Sequence, residues 1–315
     1  MRDDIFVIGD IHGCANELIH LLTKLPITRD SLVVFLGDYI DRGPAASKVV
    51  DTIIDLFNYC QVVPLMGNHE QLLLNFLKEG ANDEDVMNFI YNGGNSTLSS
   101  YADANGEYRI PGSHQKFFTS LKLFHTTDKY FFVHAGTPDI PLDNISEKDR
   151  QELLWIRSNF FESTFPWNKL IIHGHTPVKE IDITDRRINL DTGCVYGNKL
   201  SAMGLPSLTT YHIVRDSSKD QLMQRPTGRQ AIRHEGSFDI LINTDGKEVL
   251  FKSIDFNELG MLVYFNQESD IAIGTIITGK IKQKVGDIAF RGEVIRKDSH
   301  GNFAIKFSEP IISQY

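Results

Sequence analysis

Cysteine is scarce in this chain of 315 residues: Cys14, Cys60 and Cys194 stand far apart and in no CxxC spacing. An odd number of isolated cysteines argues against a disulfide framework and points to reduced thiols in a cytoplasmic protein. Cys14 reads as a small buried thiol. No apolar run approaches the length that crosses a bilayer, and the first residues lack the basic and apolar regions of a signal peptide, so no membrane partner is expected. An excess of basic residues is also missing. The formal net charge is −9, and all of it falls in residues 1–214, because residues 215–315 carry 14 Lys+Arg against 14 Asp+Glu. That distribution excludes tight binding to a nucleic-acid polymer, which needs a basic surface. The ordinary 41% hydrophobic and 23% charged composition leaves a soluble globular protein, long enough for two domains.

What the chain does have is six short polar motifs, each following an apolar, strand-like run. IFVI leads into Gly9-Asp10-Ile11-His12-Gly13, and LVVFL into Gly37-Asp38-Tyr39-Ile40-Asp41-Arg42-Gly43. VVPLM runs into Gly67-Asn68-His69-Glu70, and YFFV into His134-Ala135-Gly136. KLII precedes His173-Gly174-His175-Thr176-Pro177, and INL precedes Asp191-Thr192-Gly193. Open α/β sheets gather such ligands at the carboxyl ends of their strands, in one crevice. Between these runs, 15–24, 45–58 and 70–78 carry apolar residues at helical spacing, and Ser146 with Asp149 predicts a capped helix start. The stretch 92–111 is rich in Gly, Asn and Ser and reads as a long surface loop near the crevice.

The residue types are those of a hydrolytic centre for hard divalent cations, which take carboxylate, imidazole and carbonyl oxygen ligands. Asp10 and His12 alternate along one extended segment, and Asp38 can bridge two ions through its two oxygens. Asn68, His134 and His175 would complete the second ion. Two cations about 3.5–4 Å apart can activate a water and clamp phosphoryl oxygens. His69 is expected at the rim, held and kept protonated by Asp41, where it could protonate a leaving alkoxide. Arg42 and Arg157 are candidates for forked contacts to phosphate. His173 and Asp191 read as supporting residues around the ligands.

At these motifs the chain resembles the phosphoprotein-phosphatase family of metallophosphoesterases, especially its bacterial serine/threonine members, over residues 4–214. The resemblance implies an α/β sandwich of two sheets flanked by helices. It assigns Asp10, His12 and Asp38 to one metal and Asp38, Asn68, His134 and His175 to the other. It makes His69 the acid with Asp41 its partner, and gives Arg42 and Arg157 the phosphate. The metals it implies are manganese, with iron or zinc as alternatives, and the substrate is a phosphorylated protein. Dinucleoside tetraphosphate hydrolases share this scaffold and are one alternative reading. Asp41 in GDYIDRG and Glu70 in GNHE tilt the expectation towards phosphomonoesters.

After Val214 the texture changes. Residues 215–228 read as a polar linker, and 229–315 as a small antiparallel β-barrel of short β-branched runs. This part resembles a PilZ domain through Arg229 and Arg233 in an RxxxR pattern and through Asp255, Asn257 and Gly260, with Asn in place of Ser in DxSxxG. That resemblance implies cyclic di-GMP as a ligand, governing the catalytic domain of residues 1–214. The other alternative reading is a cyclic di-GMP receptor whose front domain is mainly a docking module.

Overall fold

In the computed structural model the described residues are 4–222, 234–235, 239–244, 247–257, 260–263, 271–282, 288–297 and 302–308. The chain begins with β1 (Ile5–Ile8), α1 (Ala15–Lys24), β2 (Leu32–Phe35), α2 (Ala46–Leu56), β3 (Gln61–Pro64) and α3 (Asn68–Leu77). Then follow α4 (Asp83–Phe89), α5 (Asn95–Tyr101), α6 (Gly112–Ser120), β4 (Phe124–Thr126), β5 (Tyr130–Val133), α7 (Arg150–Trp155), α8 (Ser158–Glu162) and β6 (Leu170–His173). The strands β7 (Asp182–Ile183), β8 (Arg187–Asn189), β9 (Lys199–Leu205) and β10 (Thr209–Val214) complete this part. Local signals set several boundaries. α1 stops because Leu25 precedes a proline and turns extended, at ψ 130°. Ser146 and Asp149 form the expected capping box, with the Ser146 N–H donating to Asp149 Oδ2 at 2.8 Å.

Two five-stranded sheets result, ordered β10-β9-β1-β2-β3 and β4-β5-β6-β8-β7. In the first, β1, β2 and β3 are parallel; in the second, β5, β6 and β8 are. Those six parallel strands are the ones that carry the six motifs. Strand alternation explains the layering. Val7, Val34 and Leu65 face Phe132, Ile172 and Ile188 in a core between the sheets. Phe6, Ile8, Val33 and Phe35 point the other way and join Leu18, Leu21, Val50 and Ile53 of α1 and α2. Strands buried on both faces read as unbroken apolar runs, which is how they appear in the sequence.

The first half of the expected loop at 92–111 is helical, through Tyr101, and 102–111 is the loop. α5 buries Asn95, Thr97, Leu98 and Tyr101 on one face, and Ser47 of α2 donates its hydroxyl to the Ser100 carbonyl at 2.9 Å. Its Asn and Ser residues have weak helix propensity, so packing rather than local preference makes this helix. The expected linker also begins as anchored chain: Arg215 donates to Glu17 at 3.0 Å, and Ser217–Leu222 form a short 3-10 turn.

Beyond it come β11 (His234–Glu235), β12 (Asp239–Thr244), β13 (Lys247–Asn257), β14 (Gly260–Val263), β15 (Ile276–Ile281), β16 (Ile288–Lys297) and β17 (Phe303–Phe307). They form one antiparallel sheet, β11-β13-β12-β15-β16-β17-β14, which curls until β14 pairs with both β17 and β13. Buried and exposed residues alternate along most of β16, the mark of a sheet with one covered face. Asp255 and Asn257 lie on β13 and Gly260 opens β14, with Asn257 and Gly260 in register. Arg229 and Arg233 lie outside the described residues. No helix among the described residues is long and apolar enough to cross a membrane.

Candidate metal centre

The carboxyl ends of the six parallel strands bring Asp10, His12, Asp38, Asn68, His134 and His175 into one buried cluster, none more than 5% exposed. The loops that do this are strained. Among the described residues six non-glycines have left-handed φ, and five of them, His12, Asp38, Asp41, Arg42 and His175, lie in the motifs. Each such residue costs about 1–3 kcal/mol and persists only where its surroundings hold it. Two motif glycines are needed for space. A Cβ at Gly67 would strike the Asp38 carboxylate, and one at Gly174 would strike that of Asp10.

Asp38 lies between two groups of ligand atoms. Its Oδ2 is 3.4 Å from His12 Nε2 and its Oδ1 is 3.5 Å from His134 Nε2. Asp38, His134 and His175 form one set that could hold an ion, and His12, Asp38 and His69 another. The tautomers suit this use. His12 Nδ1–H donates to the Ile40 carbonyl at 2.8 Å and His134 Nδ1–H to the Leu36 carbonyl at 2.9 Å, leaving both Nε2 lone pairs facing inward. His134 Nε2 and His175 Nδ1 converge on Asn68 Oδ1 at 2.9 and 3.0 Å. Asp10 takes the His175 backbone N–H on Oδ2 at 3.0 Å, while its buried Oδ1 has no protein partner.

Acceptor atoms aimed at one another, with a buried carboxylate oxygen left over, fit divalent cations of the oxygen- and imidazole-binding class. The electrostatics agree. Burial, reinforced by Asp191 and Asp38, holds Asp10 well above the usual carboxylate range. Burial raises Asp38 and Asp191 to about 7 and Glu70 to about 8. Burial also holds the ligand histidines low, His134 at about 3.

These shifts make stability depend on pH and metal together. Above about pH 7.5 the buried histidines of the centre are neutral when folded and nearly so in the unfolded chain, where an imidazole titrates near 6.5. Asp38, Asp191 and Glu70 still bind protons in the folded metal-free protein but not in the unfolded chain. The folded state therefore binds more protons, and its stability falls as pH rises through this window. The expected melting temperature of metal-free protein drops by on the order of 2 °C from pH 7.5 to 9, and an added divalent cation, tested as Mn²⁺, restores it. Differential scanning calorimetry in both states checks this; a metal-free midpoint that rises across the window would contradict it.

His69 departs from its expected place. It is 1% exposed, deeper than a rim position, with Nε2 4.0 Å from Asp38 Oδ2. Its Nδ1 lies 2.7 Å from Asp41 Oδ2, so the predicted pair is formed. The ring is not kept protonated at rest, however. Burial, then the charge of Arg42, pushes it well below the ordinary imidazole range, and Asp41 instead fixes its orientation. Asp41 is held in turn by Thr97, whose hydroxyl donates to Asp41 Oδ1 at 2.6 Å and accepts from the Asp41 N–H at 2.8 Å. Thr97 sits in the segment read as loop, which is why the sequence did not reveal it.

Glu70 also differs from its expected part. It is fully buried, and its carboxylate accepts from the backbone N–H groups of Asp38 at 2.9 Å, Tyr39 at 2.8 Å and Gly67 at 3.0 Å. It shapes the loop that presents Asp38 and touches no open surface, so GNHE cannot by itself select a substrate.

Arg42 Nη1 donates to His12 Nε2 at 2.9 Å, the lone pair a cation would take, and its Nε is buried without a partner. Arg157 is half-exposed, and burial and the charge of Arg42 lower its pKa. Two guanidinium groups that repel each other over a carboxylate cluster make a site for an anion. His173 packs against Phe160 at a ring distance of 5.0 Å, as a structural residue would. Asp191 binds the Gly193 N–H at 2.9 Å and shapes the next turn. Cys14 and Cys194 are buried free thiols beside Glu17.

Comparison with known proteins places this geometry. The calcineurin-like phosphoesterase family matches residues 4–227. A protein of Anoxybacillus flavithermus called the asymmetrical bis(5'-nucleosyl)-tetraphosphatase PrpE is 31% identical over 232 residues, 66% of this chain and 92% of its own length. Its namesake from Bacillus velezensis is 30% identical over 253 residues, 71% of this chain and 98% of its own. A crystal structure provisionally assigned as a diadenosine tetraphosphatase superposes with TM-score 0.50 at 20% identity, over 69% of this chain and 95% of that one. At that identity the last likeness speaks to the fold.

Proposed function

The chain belongs to the calcineurin-like phosphoesterase family, and from that membership we propose that it hydrolyses dinucleoside polyphosphates, cutting the phosphoanhydride chain asymmetrically. The observation that carries the substrate is the likeness to the PrpE proteins, 31% and 30% identical and matched over nearly their whole length. A serine/threonine protein phosphatase, the main expectation from the motifs, rests in part on Glu70. A buried residue that grips only backbone lends it no support.

The roles follow from the chemistry of the cluster. Asp10, His12 and Asp38 would hold one divalent cation and Asp38, Asn68, His134 and His175 the other. Ions bound there would polarise the phosphoryl oxygens and make water acidic enough to attack at neutral pH. Arg42 and Arg157 take the oxygens of the phosphoryl group under attack, with Arg42 leaving His12 to do so. The anionic phosphate chain beside His69 favours its protonated form, since an opposite charge nearby raises an imidazole pKa. His69 Nε2–H then donates to the departing oxygen while Asp41 steadies the ring.

The curled C-terminal sheet lies beyond the family match. In its backbone register β11 pairs with β13, Glu235 opposite Asp255. The RxxxR pattern of Arg229 and Arg233 and the Asp255, Asn257 and Gly260 pattern are what support a role for this sheet in binding cyclic di-GMP and, through it, in modulating hydrolysis.

One assay addresses both statements. Metal-loaded protein is given diadenosine tetraphosphate or a phosphothreonine peptide, each with and without cyclic di-GMP. The expected products of the first are AMP and ATP, at a kcat/KM at least about tenfold above that for the peptide. ADP alone, or faster turnover of the peptide, would overturn the substrate reading. Identical rates at saturating cyclic di-GMP would remove the regulatory one.

A further inference from the structure

Tyr196 is an exposed aromatic at the mouth of the centre, 53% accessible, and has no role in the hydrolysis described above. It ends the short turn Cys194–Tyr196, which begins just after Asp191-Thr192-Gly193 and is bounded by Gly193 and Gly197, both in the left-handed region. The two glycines make the tight turn possible and fix where the ring stands. The Arg42 guanidinium lies 5.6 Å from its centroid. Partial burial raises the Tyr196 hydroxyl, Arg42 opposes, and Asp191 and Asp38 add, so the ring sits in the field of the catalytic cluster.

We infer that Tyr196 is the platform on which one nucleobase of the substrate stacks, beside the phosphate held by Arg42. The inference rests on the dinucleoside polyphosphate reading and sharpens it. Asymmetrical cleavage adds water across one anhydride bond and leaves a nucleoside monophosphate and a nucleoside triphosphate. The phosphorus attacked can then be the one that carries a ribose. Its base is one sugar away, matching an aromatic ring next to the phosphate-binding arginine. Base-on-aromatic stacking is tolerant of base identity, so Tyr196 favours nucleotides over bare phosphoesters without choosing strongly among bases.

Calorimetric titration of the metal-loaded protein with AMP and with inorganic phosphate tests this without depending on turnover. Tyr196→Ala is expected to weaken AMP binding about tenfold and to leave phosphate binding within about twofold. Tyr196→Trp should keep the AMP affinity. If AMP and phosphate weaken together, Tyr196 only positions Arg42 and the inference fails. It fails equally if AMP binding is unchanged. Should diadenosine tetraphosphate prove no substrate while Tyr196→Ala still loses AMP selectively, the platform stands and the substrate is another nucleotide.

Discussion

Asp38→Asn lowers turnover by on the order of 1000-fold and empties the centre of metal. The magnitude is that of removing several kcal/mol of charge stabilisation at the transition state. The substitution is nearly isosteric, so the His69 backbone N–H, 3.2 Å from Asp38 Oδ1, keeps an acceptor and the loop keeps its shape. What disappears is the negative charge that faces His12 at 3.4 Å and His134 at 3.5 Å. A neutral amide offers one oxygen, so it cannot serve both ligand groups. Elemental analysis of the variant beside a turnover assay gives the check. Full activity with two ions retained would show that Asp38 does not bridge.

His69→Ala has an effect that depends on the leaving group. A phosphoserine peptide departs as a strongly basic alkoxide and needs a proton in the transition state, so the expected loss is about 100-fold or more. A polyphosphate leaves as a weak base, and the loss for diadenosine tetraphosphate is expected to be nearer tenfold. Asp41→Asn should reproduce the pattern in weaker form, since Asp41 accepts from the ring at 2.7 Å and orients it. Metal content and melting temperature, measured alongside, separate a lost acid from a damaged centre. Equal losses on both substrates would show that His69 does not protonate the departing oxygen.

The six motifs were legible because each follows a strand whose apolar run stops abruptly at polar residues, most of these strands being buried on both faces. Ligand identity could be read from residue type and spacing, as with Asp10 and His12 alternating along one segment. Thr97 could not be read this way, because α5 is made helical by packing against α2 and its composition resembles a loop. Glu70 stood in plain sight within a motif, yet its contacts are with backbone N–H groups from a loop 30 residues earlier in the chain, which no local pattern discloses. Tyr196 was passed over for a related reason. Its meaning depends on where the turn after Asp191 sets it relative to Arg42.

The two-sheet phosphoesterase architecture came from the resemblance of the motifs to a known family. Residue chemistry and hydrophobic periodicity determined an α/β part with a divalent-cation centre, a second, all-β part, and which side chains meet at that centre. Those properties repeat at short range, and a single chain displays them. Three-dimensional packing decided the rest: which carboxylates feel one another, how deep His69 lies, which tautomers the imidazoles hold, and which aromatic ring borders the phosphate site. Burial and the fields of residues remote in sequence set these properties, and both exist only once the strands have brought their ends together.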